Sequence, residues 1–432
     1  MTNHSNKIPL VVIVGGGFGG IELAKRLRNK PVQILMLDRH NYHTFQPLLY
    51  QVATAGLEAD SIAFPLRKIF KGQQNFTFRM TELKKIIPSQ RVLDTTIGPI
   101  NYDYLVIATG SNTNFFGQQE VEHFAMPMKT IPEALNLRSL LLQNLEEALI
   151  ESDPVRKSAL LHFVIVGGGP TGVELSGALA ELRMHILPTD YPELSIQQVH
   201  IYLIEGSSKL LGTMSEQASS ESERFLKKMG VKVYTDARVE GYDGATIRLS
   251  TGETIHTQNV IWSAGIKGAV PEGIPEIGIA RGNRIKVDTY NRVEGLENIF
   301  AIGDVAAMTT DKYPNGHPCV APVAIQQGKM LAANLLKLLR GKPLDGFIYF
   351  DKGSMATVGR NKAVVDIGRI RFQGIFAWFV WMFVHLMSLV GFRNKVVTFV
   401  NWMWSYFSYD RGTRLIIRPF SRTSRTEDTS AK

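Results

Sequence analysis

Short apolar runs, each ending on glycine, an acid or other small residues, recur along most of the chain. Val11-Val12-Ile13-Val14 ends on Gly15, and residues 32–37 end on Asp38. Tyr104-Leu105-Val106-Ile107 ends on Ala108-Thr109-Gly110. The pattern returns at Phe163-Val164-Ile165-Val166 before Gly167, and at residues 199–204 before Glu205. It returns again at Val260-Ile261-Trp262 before Ser263-Ala264-Gly265, and at Asn298-Ile299-Phe300-Ala301-Ile302 before Gly303-Asp304. Runs of this length without polar alternation predict strands buried on both faces, as in parallel sheets. Helical periodicity follows the first run at residues 21–27 and fills residues 131–151, with Pro132 in the first turn. Strands alternating with helices predict an α/β fold.

Two of the strand ends carry the same turn. Gly15-Gly16-Gly17-Phe18-Gly19-Gly20 and Gly167-Gly168-Gly169-Pro170-Thr171-Gly172 both read Gly-x-Gly-x-x-Gly, and Gly15 and Gly167 stand 152 residues apart. A strand, a tight glycine turn and a helix N-terminus hold a dinucleotide pyrophosphate on backbone N–H groups and the helix dipole. One such turn is weak evidence. Two predict two dinucleotides and electron transfer between them. Asp38 lies 18 residues past Gly20, the position of an acid that takes a ribose hydroxyl pair, although an acid at a strand end also forms turns. Glu205 lies 33 residues past Gly172, and residues 185–198 read as an insertion that accounts for the longer spacing. Gly206, Ser207 and Ser208 follow it with no arginine nearby in the sequence, which favours NADH over NADPH. Small residues at Ala108-Thr109-Gly110 and Ser263-Ala264-Gly265 admit a flat cofactor close to the backbone.

These features predict two dinucleotide-binding, Rossmann-like domains, the second inserted in the first. The first would occupy residues 1–115 and 287–345, the second residues 116–286, with Ser152-Asp153-Pro154 as a breaker ahead of the second glycine turn. Asp304 would then return to the first cofactor. The region 346–432 differs. Residues 375–392 are apolar except for His385, Ser388 and Gly391; Arg393-Asn394-Lys395 reads as a break; residues 396–409 are apolar with Thr398, Asn401, Ser405 and Ser408 on a narrow stripe. Trp378, Trp381, Trp402, Trp404, Tyr406 and Tyr409 gather here, flanked by Arg369, Arg371, Arg393, Lys395, Arg411 and Arg414. Aromatic residues and cations around apolar helices predict amphipathic helices on a membrane surface. Packing on the rest of the chain, a homodimer interface, or a span by residues 375–392 are the other readings. The tail from Ser421 reads as disordered.

Composition narrows the chemistry. The single cysteine, Cys319, excludes a redox cysteine pair or a thiolate metal cluster, and no metal site is expected. The net charge of +9 reads as a solvated basic surface or as attraction to an anionic membrane or to phosphates, since the excess lies partly beside the apolar C-terminal segments; no nucleic-acid partner is expected. No secretory signal is expected at the N-terminus. His40 and His43 are expected to be structural.

Gly15 to Gly20, Phe45-Gln46-Pro47-Leu48-Leu49-Tyr50-Gln51-Val52-Ala53, Ala108-Thr109-Gly110, Gly167 to Glu174, Gly303-Asp304 and the apolar C-terminus together resemble the type II NADH dehydrogenases, single-subunit FAD-containing NADH:quinone oxidoreductases. The resemblance covers about residues 7–420. It implies bound FAD in the first domain, NADH as substrate in the second, a membrane quinone as acceptor, a homodimer, and a peripheral position on the cytoplasmic face of the inner membrane without proton pumping. It implies that Gly15, Gly17, Phe18, Gly19 and Gly20 hold the FAD pyrophosphate, that Asp38 meets the adenosine ribose, and that the Leu83 backbone meets adenine. Ala108, Thr109 and Gly110 would flank the flavin, with Gly303 and Asp304 at the ribityl chain. Gly167, Gly169, Pro170, Thr171 and Gly172 would carry NADH, Glu205 its ribose, and Ala264 and Gly265 its nicotinamide. Glu174 matches a family glutamate assigned to the NADH and quinone region; it also reads as a first-turn acid favoured by the helix dipole. The family's quinone motif, Ala-Gln-x-Ala-x-Gln, stands here as Ala321-Pro322-Val323-Ala324-Ile325-Gln326, so Gln326 and Gln327 are the remaining candidates for the quinone carbonyl. A soluble NADH-dependent reductase of a protein carrier and a sulfide:quinone oxidoreductase are the alternatives, the latter opposed by the lone cysteine.

Overall fold

In the computed structural model, which describes residues 8–408 and 413–420, the first apolar run has no exposed side chain. Strand Leu10–Val14 lies at the centre of a parallel five-stranded sheet, between Tyr104–Ile107 and Gln33–Asp38, with Ile299–Ala301 and Phe76–Met80 outside them. Alternate side chains feed different cores. Val11 and Ile13 pack with Leu23, Leu331 and Leu335 of the helices, while Val12 and Val14 pack with Ile86, Leu93 and Ile285 on the opposite face. Burial on both sides explains the unbroken hydrophobic run.

The second glycine unit repeats the design. Strand His162–Val166 sits between His200–Ile204 and Asn259–Trp262, with Val231–Tyr234 and Met126–Pro127 at the edges. A three-stranded antiparallel sheet of Val239–Tyr242, Thr246–Leu249 and Thr254–His256 covers one face through Tyr242, Ile247 and Leu249. Helix Ile131–Ile150 opens with a capping box between Thr130 and Glu133. The long interval before Glu205 continues the second glycine helix through a π-helical turn, Leu182–Ile186, and a further turn, Leu187–Asp190.

The chain divides into two compact units. The first comprises residues 8–43, 64–112 and 266–351; the second comprises residues 44–63, 113–265 and the described residues from 352 on. Three expectations differ from this division. Residues 44–63 group with the second unit rather than with the first. The return to the first unit comes at Ile266 rather than near residue 287, and the C-terminal region packs as part of the second unit rather than apart from it. Strand Ser354–Thr357 lies directly on the second glycine helix, where a Cβ at Gly177 would come within 2.9 Å of the Gly359 nitrogen. The Asp366 carboxylate accepts from the Ser215 amide at 2.7 Å and hydroxyl at 2.9 Å.

The expected break at Arg393-Asn394-Lys395 falls inside a helix. The apolar C-terminus forms helices Ile375–Ser388 and Phe392–Ser408, separated at Gly391 with φ +87°. Among the described residues no helix is long and apolar enough to cross a membrane. The amphipathicity of the last helix is inverted. Thr398 and Asn394 are 0 and 4% exposed, whereas Phe399, Trp404 and Phe407 are 47, 66 and 76% exposed. The polar stripe faces the protein: Asn394 donates to the Asp60 and Ala63 carbonyls at 3.0 and 2.9 Å, Asn401 to Glu58 at 2.7 Å, and the Trp402 indole to Gln51 at 2.8 Å. In Ile375–Ser388, Phe376, Phe379, Phe383 and Met387 point outward while Ala377 and Trp381 are buried. The expected Tyr409, Arg411 and polar tail from Ser421 lie outside the described residues.

Asn394→Ala removes the donors to the part-buried Asp60 and Ala63 carbonyls and is expected to cost about 1–2 kcal/mol. A lower urea midpoint and earlier proteolysis of the last helix, against wild type, check it.

Candidate functional site

Each glycine turn is closed by the small-residue end of a neighbouring strand. Gly15 has φ +114°, and a Cβ there would lie 2.2 Å from the Ala108 carbonyl oxygen. Gly167 has φ +108°, and a Cβ there would lie 2.6 Å from the Ala264 Cα. The last glycines meet the first: a Cβ on Gly20 would sit 2.1 Å from the Gly15 oxygen, and one on Gly172 1.8 Å from the Gly167 oxygen. The middle glycines differ, since a Cβ on Gly17 or Gly169 would meet no protein atom within 4 Å. Both are N-caps without a side-chain cap, leading into helices Phe18–Arg26 and Pro170–Glu181, with Phe18 and Pro170 as first helical residues and no acid in either first turn. Backbone N–H groups and a positive dipole end thus face open space in both units, a cradle that fits a pyrophosphate. Thr171 is exposed at the second. Gly19 has another duty: it lies where the first helix crosses helix Ala321–Leu338, with Gly328 against its carbonyl at 2.5 Å from a Cβ position.

The acids sit alike. Asp38 accepts from the Gly16 amide at 2.6 Å and from His40 at 2.8 Å. Glu205 accepts from the Gly168 amide at 2.6 Å and from the Ser207 amide and hydroxyl, each at 2.7 Å. Both carboxylates fix their turn. His43 is buried, contacts the Gly16 carbonyl oxygen through Nδ1 at 3.2 Å, and is pushed down to about 4 by burial, so it is neutral at pH 7.

Just past the Ala108 strand end, the Ser111 hydroxyl donates to Asp304 at 2.7 Å, joining the 108–111 segment to the 303–304 turn. Thr109 donates to the Ala269 carbonyl at 2.6 Å, and Gly110 has φ +72°. The Gly303 amide, at φ +75°, donates to the buried Gln327 side chain at 2.7 Å. Gln326 closes a two-bond loop with the Phe350 backbone, 2.9 Å each way. Both candidate glutamines therefore brace backbone. Pro322 stands in the first turn of its helix, where a missing N–H breaks no helical bond. Leu83 opens strand Leu83–Ile87 and packs toward Ile86 and Leu93, two residues past Thr81, whose amide donates to the Asp38 carbonyl at 2.9 Å. In the second unit Gly265 follows Ala264 and accepts from the Asn114 amide at 3.0 Å.

Glu174 is buried in the second glycine helix, whose residues 172–180 are all buried. Burial raises its carboxyl to about 8, only partly offset by the Thr357 amide and the Trp381 indole, so it is largely protonated at pH 7. It lines a cleft of about 650 Å³, including its open mouth, with Gln51, Arg360, Trp378, Trp381, Trp402 and Tyr406. Arg360 donates to the Tyr406 and Ser405 carbonyls and lies 5.0 Å above the Tyr406 ring. His385 stacks on Trp381 at 4.1 Å. Sequence spacing did not expose this cleft, because residues 50–54 and 357–360 join the helices only through tertiary packing.

Residues 9–328 match the family model for pyridine nucleotide-disulphide oxidoreductases, and residues 352–408 match that of the NDH2 C-terminal domain. A type II NADH:quinone oxidoreductase of Mycobacterium tuberculosis is 35% identical over 436 residues, covering 96% of this chain and 92% of that protein. The chain belongs to the type II NADH:quinone oxidoreductases. Their fold is shared by the solved NDH2 of Plasmodium falciparum in complex with NADH, at TM-score 0.88, 20% identity, and coverage of 95 and 100% of the two chains. A sulfide:quinone oxidoreductase of Aquifex aeolicus has a TM-score of 0.71 at 20% identity over 93 and 96%, a likeness of fold. The α/β architecture expected for a type II enzyme is the one observed.

The raised Glu174 value fixes a pH dependence. The folded chain holds a proton there that the unfolded chain releases above 4.5, so this stabilising contribution is full below that value and is lost as pH rises toward about 8. Glu174→Gln is expected to gain stability relative to wild type between about pH 5 and pH 8, and denaturant unfolding across that range checks it.

Proposed function

We propose that this chain is a non-pumping, flavin-dependent oxidase of NADH that delivers electrons to a membrane quinone. The observation that carries the reading is the doubled glycine turn, each copy with an open middle glycine and an uncapped helix start. Bound FAD would supply the redox chemistry, taking a hydride from NADH and yielding two electrons to the acceptor. The chain's residues bind and orient. Gly15 to Gly20 and the helix start behind them hold the FAD pyrophosphate, Asp38 its adenosine ribose, and the Leu83 backbone its adenine. Ala108, Thr109, Gly110 and Gly303 line the flavin, and Asp304, oriented by Ser111, takes the ribityl hydroxyls. Gly167, Gly169, Pro170, Thr171 and Gly172 take the NADH pyrophosphate, Glu205 its ribose, and Ala264 and Gly265 its nicotinamide end.

Protonated Glu174 holds a proton at the base of an aromatic cleft, where an acceptor that needs protons can draw on it. Gln327 acts through Gly303 and Gln326 through Phe350, so we assign both to positioning rather than to the quinone carbonyl. The outward Phe376, Phe379, Phe383, Phe399, Trp404 and Phe407 support attachment to a bilayer surface, with NADH reached from the cytoplasmic side and two copies pairing as a homodimer. The rival readings fare worse. A sulfide reaction calls for paired cysteines, and Cys319 is alone. A soluble partner protein leaves the apolar faces without a use.

Anaerobic NADH is expected to bleach the flavin absorbance, and a ubiquinone or menaquinone analogue to restore it; flavin reduced by NADH but not reoxidised by either quinone would sink the acceptor half. The two glycine turns separate by substitution. Gly20→Ala is expected to purify without flavin colour, and Gly172→Ala to keep its colour but resist bleaching by NADH, because each new methyl overlaps a carbonyl of its own turn.

A further inference from the structure

An arginine distant in sequence folds back beside Glu205. After strand Val231–Tyr234 the chain crosses the end of its neighbour, with the Asp236 amide donating to the Ser207 carbonyl at 2.9 Å and the Ala237 amide to the Glu205 carbonyl at 3.0 Å. That crossing sets Arg238 against Gly206, where a Cβ would lie 3.2 Å from the Arg238 Cγ and 3.9 Å from its Nε. The Arg238 backbone is held on both sides by Ser250: its amide donates to Ser250 Oγ at 2.9 Å, and its carbonyl accepts from the Ser250 amide at 2.8 Å. The side chain is exposed, and among the described residues no carboxylate pairs with its guanidinium. Its neighbours differ in this respect: Lys209 is ion-paired with Glu216, and Glu205 is engaged by Gly168 and Ser207.

An acid at this position favours a free ribose 2′-hydroxyl, whereas a nearby arginine accommodates a 2′-phosphate. A guanidinium matches phosphate with two parallel hydrogen bonds. We propose that Arg238 is a specificity-determining residue of the dinucleotide site, which binds the 2′-phosphate of an NADPH-type dinucleotide while Glu205 opposes it. The chain thereby accepts 2′-phosphorylated dinucleotides in competition with NADH, at a ratio set by this pair. The proposal rests on the reading that Glu205 faces the adenosine ribose.

The test needs no turnover. Adenosine 2′,5′-bisphosphate and 5′-AMP are titrated by calorimetry into the full flavin-loaded chain, with flavin content and circular dichroism verifying each variant. In Arg238→Ala, binding of the bisphosphate relative to 5′-AMP is expected to fall about tenfold, with Arg238→Lys between that and wild type. Glu205→Gln is expected to raise the same ratio, and the gain to vanish in the double variant. An Arg238→Ala ratio within about twofold of wild type, or a Glu205→Gln gain that survives in the double variant, overturns the assignment of Arg238 while leaving the NADH site standing. If neither nucleotide binds wild type and NADH fails to bleach its flavin, the site reading falls and this proposal with it.

Discussion

The first glycine of each turn is pressed against the backbone of an adjacent strand end, and both units depend on that contact. Gly15 lies on Ala108, and Gly167 on Ala264, at distances that no Cβ can share. The contact forces the chain through a positive φ and turns it sharply from strand to helix, so that the helix N-terminus emerges at the sheet's carboxyl edge. The last glycine of each motif then lets the helix pack on the same turn. Only the middle glycine faces away from protein. The two alanine-containing strand ends, unremarkable as strings, are the anvils against which the turns are shaped.

Burial elsewhere selects between charge states. The second glycine helix is enclosed along most of its length, which is why a carboxyl placed there keeps its proton at neutral pH. Burial likewise leaves His43 in the first unit and His385 in the second neutral, each pushed down to about 4.

Much of this was legible in the chain. Apolar runs ending on small residues located the central strands, because a strand buried on both faces has no reason to alternate. The glycine turns located their helices, and the acid at each following strand end accepts from an amide of its turn. What escaped was whatever depends on facing rather than spacing. Periodicity places Thr398, Asn401 and Ser405 on one stripe but cannot say which side meets protein. Arg393-Asn394-Lys395 looks like a polar break, yet Asn394 is helical because two carbonyls await its amide. Gln326 and Gln327 resemble ligand contacts until Phe350 and Gly303 are seen to engage them. Arg238 stands far from Glu205 in the chain and next to its loop in space.

The seam beneath the last helix has a thermal character of its own. It joins amide, indole and carboxylate hydrogen bonds to ring contacts, Trp402 with Trp381 at 5.8 Å and Tyr406 with Trp378 at 5.5 Å. Such bonds strengthen where water is excluded, and none of them uses the outward aromatic face. Apolar cores weaken on cooling because their hydration carries a large heat capacity; the hydrogen bonds of the seam contribute little to that term. The hydrogen-bonded part of the attachment is therefore less sensitive to cooling than the apolar cores it sits upon.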